Sequence, residues 1–408
     1  MTYRSFFYLF LLSLLPSLTF GQNKTNEDES KVPDYSIPDI FVNLKGQEIN
    51  TIQDWVHLRR PEIVNLFEDN VYGNMPEAID AINFTTVNED KMAMNGMATL
   101  KEVDIEVTNR TQKVTMRLIL FIPNKSSSPA PVFLLINHRD PENIDPTRKT
   151  KMGFWPAEEI IKRGYAAATF HVKDVSDDDK VTFSDAILSK LYPEELAKEN
   201  GLRGLGAWAW GAMRAMDYFE TAPEIDSEKA AVIGHSRGGK ASLWTGASDS
   251  RWAITISNES GCGGAAMSRR KFGETVKIIN TVFPYWFTDN FSKYNENEAL
   301  LPIDQHMLIA SIAPRAVYVA SASEDLWADP KGEYMSLQLG TRVHREIYKM
   351  EGNFPEEINT PGHPIHLPYA GHHIREGKHN LTPYDWNLFM DFADKHYGFN
   401  EKFVTGGD

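Results

Sequence analysis

Short apolar runs separated by amphipathic stretches set the layout of this 408-residue chain. Lys113–Ile122 alternates in part at period two and stops at Pro123-Asn124, which predicts a strand. Pro131–Asn137 is a continuous apolar run, the pattern of a central parallel strand covered on both faces. Further runs follow at Tyr165–His171, Ala230–Gly234, Ala253–Ser257, Ala316–Ser321 and Arg345–Lys349. Between them, Leu205–Phe219 carries apolar residues at helical spacing, and 383–397 does the same near the C-terminal end. Strands alternating with crossover helices predict a mostly parallel central sheet with helices on both faces, a three-layer αβα sandwich. From residue 38 to 408 no linker, repeat or low-complexity block intervenes, so this span is read as one domain.

The run that ends at Gly234 continues as His235-Ser236-Arg237-Gly238-Gly239-Lys240, and a helix-like segment follows. Gly-x-Ser-x-Gly between a strand and a helix is a nucleophile elbow, which makes the expected fold an α/β-hydrolase. The turn holds the serine at a strained backbone position, and glycines at 234 and 238 keep Cβ atoms out of the crowded junction.

A serine hydroxyl needs a base to take its proton and an acid to orient that base. In this fold the order along the chain is serine, acid, histidine. His379, in a loop directly before the last helical pattern, is the favoured base over His363, His366, His372 and His373. Those four are read as loop residues that lie close together, but their spacing matches no zinc motif, so no metal is expected. Glu259 and Asp325 each follow a predicted strand, where an open α/β sheet places its site; order alone does not choose between them. The Arg237 N–H, next after the nucleophile, is the expected oxyanion donor, with its guanidinium as a second. His138-Arg139, after an early strand, is a further candidate.

Composition narrows the class. Hydrophobic residues make up 42% and charged residues 24%, as in a soluble globular protein. A net charge of −14 without a basic block argues against a nucleic-acid partner. Arg4, the apolar run Phe6–Leu15, then Pro16-Ser17 and the small residues Thr19 and Gly21 have the build of a signal peptide over residues 1–21. That run is short for a membrane span, so a secreted or periplasmic monomer without stable membrane insertion is expected. Residues 22–37 are polar and read as a flexible tether. Cys262, the one cysteine, cannot form an intrachain disulfide.

Taken together, Gly234–Lys240, Ser257-Asn-Glu-Ser-Gly-Cys-Gly-Gly264, Gly273-Glu-Thr275, Asp304-Gln-His306, Ala313-Pro-Arg315, Glu324–Pro330, His373-Ile-Arg375 and Gly377-Lys-His379 resemble the glucuronoyl esterases of carbohydrate esterase family 15. Trp55–Pro61 and Tyr72-Gly73 are similar to that family's N-terminal part. The resemblance implies Ser236 as nucleophile, His379 as base, Glu259 as acid and Arg237 at the oxyanion. It also implies that Lys240, Glu274 and Trp327 contact a glucuronoyl sugar, and that no metal or organic cofactor is needed. Because family members take the acid from either strand, Asp325 stays beside Glu259. Gly239 departs from the family, many of whose members carry a larger apolar residue there, and loop lengths are expected to differ at 173–200 and 351–370. Trp286, Gln305 and His306 have weaker claims to the site. The implied reaction is hydrolysis of (4-O-methyl-)glucuronic acid esters, as in lignin–glucuronoxylan cross-links. A xylan acetyl esterase and a non-catalytic polysaccharide-binding protein are the alternatives. An acetyl group has no need of the sugar contacts, and a binding protein none of the elbow.

Overall fold

The computed structural model describes residues 25–125 and 128–398, so the expected signal peptide lies outside the described residues. Among these residues ten strands form one sheet. In chain order they are β1 (Ala81–Met92), β2 (Ala98–Asn109), β3 (Gln112–Pro123), β4 (Ala130–Asn137) and β5 (Ala166–His171). Then come β6 (Ile225–His235), β7 (Ile254–Asn258), β8 (Ala316–Ala322), β9 (Ile365–His366) and β10 (Ala370–Arg375). Their order across the sheet is β1-β2-β3-β5-β4-β6-β7-β8-β10-β9. The central block from β5 through β10 is parallel, with antiparallel strands added at both edges. This is the α/β-hydrolase sandwich that the strand pattern predicts.

The two faces of β4 explain its unbroken apolar sequence. Val132, Leu134 and Ile136 enter one core, while Phe133 and Leu135 enter the other. Each such side chain contributes about 1.5–3 kcal/mol when fully buried, so a parallel strand covered on both faces has no room for polar residues. Helices α1 (Ala157–Lys162), α2 (Gly204–Phe219), α3 (Arg237–Ser248), α4 (Pro330–Gly340), α5 (Arg342–Glu346) and α6 (Pro383–Tyr397) cover the sheet. Helices α2 and α3 fill one core with Trp208, Trp210 and Trp244; α1 and α6 fill the other with Ile160, Trp386 and Phe389. No described helix is long and apolar enough to cross a membrane.

Three local readings change. Arg345–Lys349, expected as a strand, begins inside α5. Val343, His344 and Ile347 are the buried residues, at spacings of one and four, which is a helical face and not an alternating one. His372 and His373, read as loop residues, sit buried in β10. Residues 25–37, read as part of a tether, make specific contacts with the domain. The Gly273 N–H donates to the Asn26 carbonyl at 2.8 Å. Glu29 pairs with Arg270 at 2.7 Å and with Lys331 at 2.8 Å.

Candidate active site

Strand β6 runs to His235 and helix α3 starts at Arg237, leaving Ser236 alone at the turn with φ 56° and ψ −126°. Such a left-handed conformation is strained for a serine and persists because its surroundings over-determine it. A Cβ on Gly234 would fall 1.9 Å from the Gly238 carbonyl oxygen. One on Gly238 would come within 3.0 Å of the Ile136 carbonyl oxygen on β4. Both glycines are therefore required by close backbone approach. The Ser236 N–H donates to the Asn258 carbonyl at the end of β7, which ties the elbow to the neighbouring strand.

The loop after β10 brings His379 to the same end of the sheet. Its ring lies 4.4 Å, centroid to centroid, from that of His235, the residue before the serine. Both candidate acids reach the same imidazole nitrogen. Asp325 Oδ2 is 2.6 Å from His379 Nδ1, and Glu259 Oε2 is 3.3 Å from it. With Nδ1 taken, Nε2 is the nitrogen left for basic work. The carboxylates differ in their other partners. Glu259 Oε1 accepts from Arg375 at 2.6 Å, and Oε2 accepts from the Asn380 N–H at 2.9 Å. Burial works against charge on His379, but hydrogen bonds and charge from Asp325 and Glu259 outweigh it and raise its pKa to about 9. Burial also pushes the Glu259 carboxyl up, partly offset by His379 and Arg375.

Helix α3 supplies two more groups. The Arg237 N–H lies in the first helical turn, among the N–H groups that intrahelical bonding leaves free. The Arg237 guanidinium bonds Asp178 and lies 4.7 Å above the Trp286 ring. One turn on, Lys240 is buried; its ammonium donates to the Ser260 and Cys262 carbonyls at 2.5 and 2.6 Å. Lys240 Nζ is also 3.6 Å from Glu274 Oε2. Burial raises the Glu274 carboxyl above its ordinary range, and the lysine's charge opposes that shift. Trp327, 46% exposed, is joined to this pair through the backbone, because the Glu274 N–H donates to the Trp327 carbonyl at 2.9 Å.

The remaining candidates take other places. His373 is held between Asp385 and the Tyr318 hydroxyl, which also bonds His366. His372 bonds Asn359, and His363 is exposed in a loop. Gln305 and His306 are buried on the Gly264 and Pro38 carbonyls. Arg139 reaches the Asn380 side chain at 3.1 Å, and His138 stacks 6.2 Å from His235. Sequence reasoning missed Asp178, which no motif marks within the acidic run Asp174–Asp179. It also gave Arg375 no role, although that residue neutralises one of the two acids. Among the described residues, Glu259, Asp325 and His379 are the group that could hold a metal ion. Their mutual hydrogen bonds already use these donors, so they need no ion to explain them.

A strand-turn-helix elbow on a parallel sheet, with an imidazole and acids at the same strand ends, defines an α/β-hydrolase. A family model of the fungal glucuronyl esterases matches residues 105–352. Carbohydrate esterase MZ0003, from an unknown prokaryotic organism, is 40% identical over 413 residues, which cover 94% of this chain and 93% of that protein. The solved glucuronoyl esterase from Solibacter usitatus is 34% identical with a TM-score of 0.84, covering 90% of this chain and 100% of that one. A promiscuous CE15 esterase from the marine bacterial metagenome is 38% identical with a TM-score of 0.83, covering 91% and 100%. The chain belongs to the glucuronoyl esterase family, carbohydrate esterase family 15, and is a carboxylic ester hydrolase.

Proposed function

We propose that the protein hydrolyses the ester between the carboxyl of glucuronic or 4-O-methyl-glucuronic acid and an alcohol, as in lignin–glucuronoxylan cross-links. The observation that carries this reading is the buried Lys240–Glu274 pair one helical turn from Ser236. A sugar needs fixed donors and acceptors for its hydroxyls and ring oxygen, and a flat wall for its apolar face. Lys240 and Glu274 supply the first, and half-exposed Trp327 the second. A xylan acetyl esterase would have no use for that pair. A non-catalytic binding protein would have no use for a strained serine.

In the reaction, Ser236 Oγ attacks the uronoyl carbonyl carbon while His379 Nε2 takes its proton. Asp325 is the principal acid orienting His379, and Glu259, shared with Arg375, assists. The Arg237 N–H and guanidinium receive the charge on the tetrahedral oxygen. His379 then protonates the departing alcohol, leaving a glucuronoyl ester on Ser236. Water, deprotonated by the same imidazole, attacks that ester and releases glucuronate with Ser236 restored. The enzyme acts as a monomer outside the cytoplasm after removal of residues 1–21, whose composition supports export.

The test compares a methyl ester of glucuronic acid with a neutral acetyl ester, using wild type and Ser236→Ala. Wild type is expected to prefer the uronate ester, and Ser236→Ala to lose both activities. A wild type that ignores the uronate ester, or a Ser236→Ala variant that keeps cleaving it, overturns the reading.

A further inference from the structure

Among the described residues Arg237 makes one ion pair, and its partner comes from outside the elbow. Asp178 Oδ2 accepts from Arg237 Nη1. The other carboxylate oxygen, Oδ1, accepts from the Trp286 indole N–H at 2.8 Å and the Tyr285 hydroxyl at 3.0 Å. The guanidinium meanwhile lies 4.7 Å from the Trp286 ring centre and 5.2 Å from that of Phe283. Those two rings stack on each other at 3.6 Å. Four side chains from two segments thus grip one cation, and Arg237 Nε, buried, has no acceptor among the described residues. A buried N–H without a partner is costly unless something fills the vacancy during function.

The parts of this grip are themselves anchored. The Tyr285 and Trp286 carbonyls accept the Gly204 and Leu205 N–H groups at 2.9 and 3.1 Å, at the free N-terminal end of α2. The loop bearing Asp178 is closed by Asp179, which accepts the Val181 and Thr182 N–H groups. It is tied to α2 by the Trp208 indole N–H, which donates to the Ser176 carbonyl at 2.8 Å. Asp178 is only 14% exposed, so its charge acts on Arg237 with little screening by water.

We infer that Asp178 is a positioning residue for the oxyanion site: with Tyr285 and Trp286 it fixes the Arg237 guanidinium so that Nε–H meets the charge that develops on the substrate oxygen. This rests on the reading of Arg237 as an oxyanion donor. The clamp makes the loop after β5 part of the catalytic apparatus. It also gives Trp286 a place in the site as a support of Arg237.

The test uses Asp178→Asn, Arg237→Ala and the double variant, on the methyl glucuronate ester and on a neutral acetyl ester. Intact sites are counted by stoichiometric labelling of Ser236 with a fluorophosphonate, so that any loss of folded protein is divided out. Arg237→Ala is expected to lower kcat about 10²–10³-fold, as loss of an oxyanion donor does, and Asp178→Asn about 10–100-fold with KM within about threefold of wild type. In the Arg237→Ala background, Asp178→Asn is expected to change kcat by less than about threefold, because the residue it positions is gone. An unchanged kcat for Asp178→Asn overturns the inference. So does a loss of equal size with and without Arg237, which marks a structural role only, or a loss confined to KM. Wild type that cleaves only the acetyl ester refutes the substrate reading while the clamp is still measured on that ester. Wild type that cleaves the uronate ester, with Asp178→Asn equally fast, leaves the substrate reading standing and removes the clamp.

Discussion

Two carboxylates on one imidazole nitrogen do not share its work equally. Asp325 makes the shorter contact with His379, whereas Glu259 divides its charge among His379, Arg375 and a backbone N–H. Asp325→Asn is therefore expected to lower kcat about 10³-fold or more, and Glu259→Gln only about tenfold; steady-state rates on one ester check this. The same contacts set the pH profile. The proposed base must be neutral to accept a proton, and burial disfavours its charge less than the acids favour it, which raises the His379 pKa to about 9. The rate constant kcat/KM is expected to climb with pH up to about that point, and in Asp325→Asn the rise should move to lower pH. Stability runs the other way. Because the folded pKa is raised, the ion pair stabilises the fold fully below His379's ordinary value of 6.5 and is lost as pH rises toward about 9. Urea midpoints across that range should fall in wild type, and fall less in His379→Ala. At Lys240 the concern is desolvation. Lys240→Met leaves Glu274 buried without its cation and should destabilise by about 3 kcal/mol, less to the extent that the carboxyl protonates.

At the scale of elements, the fold was legible where a strand is covered on both faces or a helix shows its apolar stripe. Strands β4 and β6, helices α2 and α6 and the elbow between β6 and α3 follow directly from their residue patterns. The misreadings have physical causes. Strand β1 is an edge strand, exposed along most of its length, so it lacks a buried face to pattern its residues. Strand β10 hides its burial behind two histidines that find hydrogen-bond partners inside, His372 on Asn359 and His373 on Asp385 and Tyr318. Arg345–Lys349 is too short a window to separate period two from period four. Close packing between elements gives a separate test. A Cβ on Gly246 of α3 would lie 2.1 Å from the Thr255 Oγ1 of β7. Gly246→Ala is expected to cost about 1–3 kcal/mol through overpacking, read by denaturant melts, despite alanine's better helix propensity.

Across the whole molecule, the site is assembled from segments far apart in the chain. The N-terminal stretch from residue 25 docks beside Gly273 and Glu274, and Glu29 closes an ion-pair group with Arg270, Lys331 and, through Arg270, Asp329. Removing residues 22–33 should therefore lower stability by about 1 kcal/mol. In a chain of this size that corresponds to about 1 °C in Tm, because the unfolding entropy grows with length. It should also raise KM for the uronate ester, since the Gly273-Glu274 loop loses a strap; calorimetry and kinetics on the truncated chain check both. Sequence alone determined the sandwich and named the candidate serine, the candidate base and the pair of possible acids. Local patterning and turn chemistry suffice for those, because a strand covered on both faces and a glycine-bounded elbow leave few alternatives. Only the tertiary structure decided that Asp325 is nearer His379 than Glu259 is, that Arg375 pairs with the latter, and that Asp178 holds Arg237. Those are distances between side chains 50 to 120 positions apart, set by how the strands line up across the sheet. The elbow can be read from residues in a row; the charges that tune it belong to residues that meet only when the chain is folded.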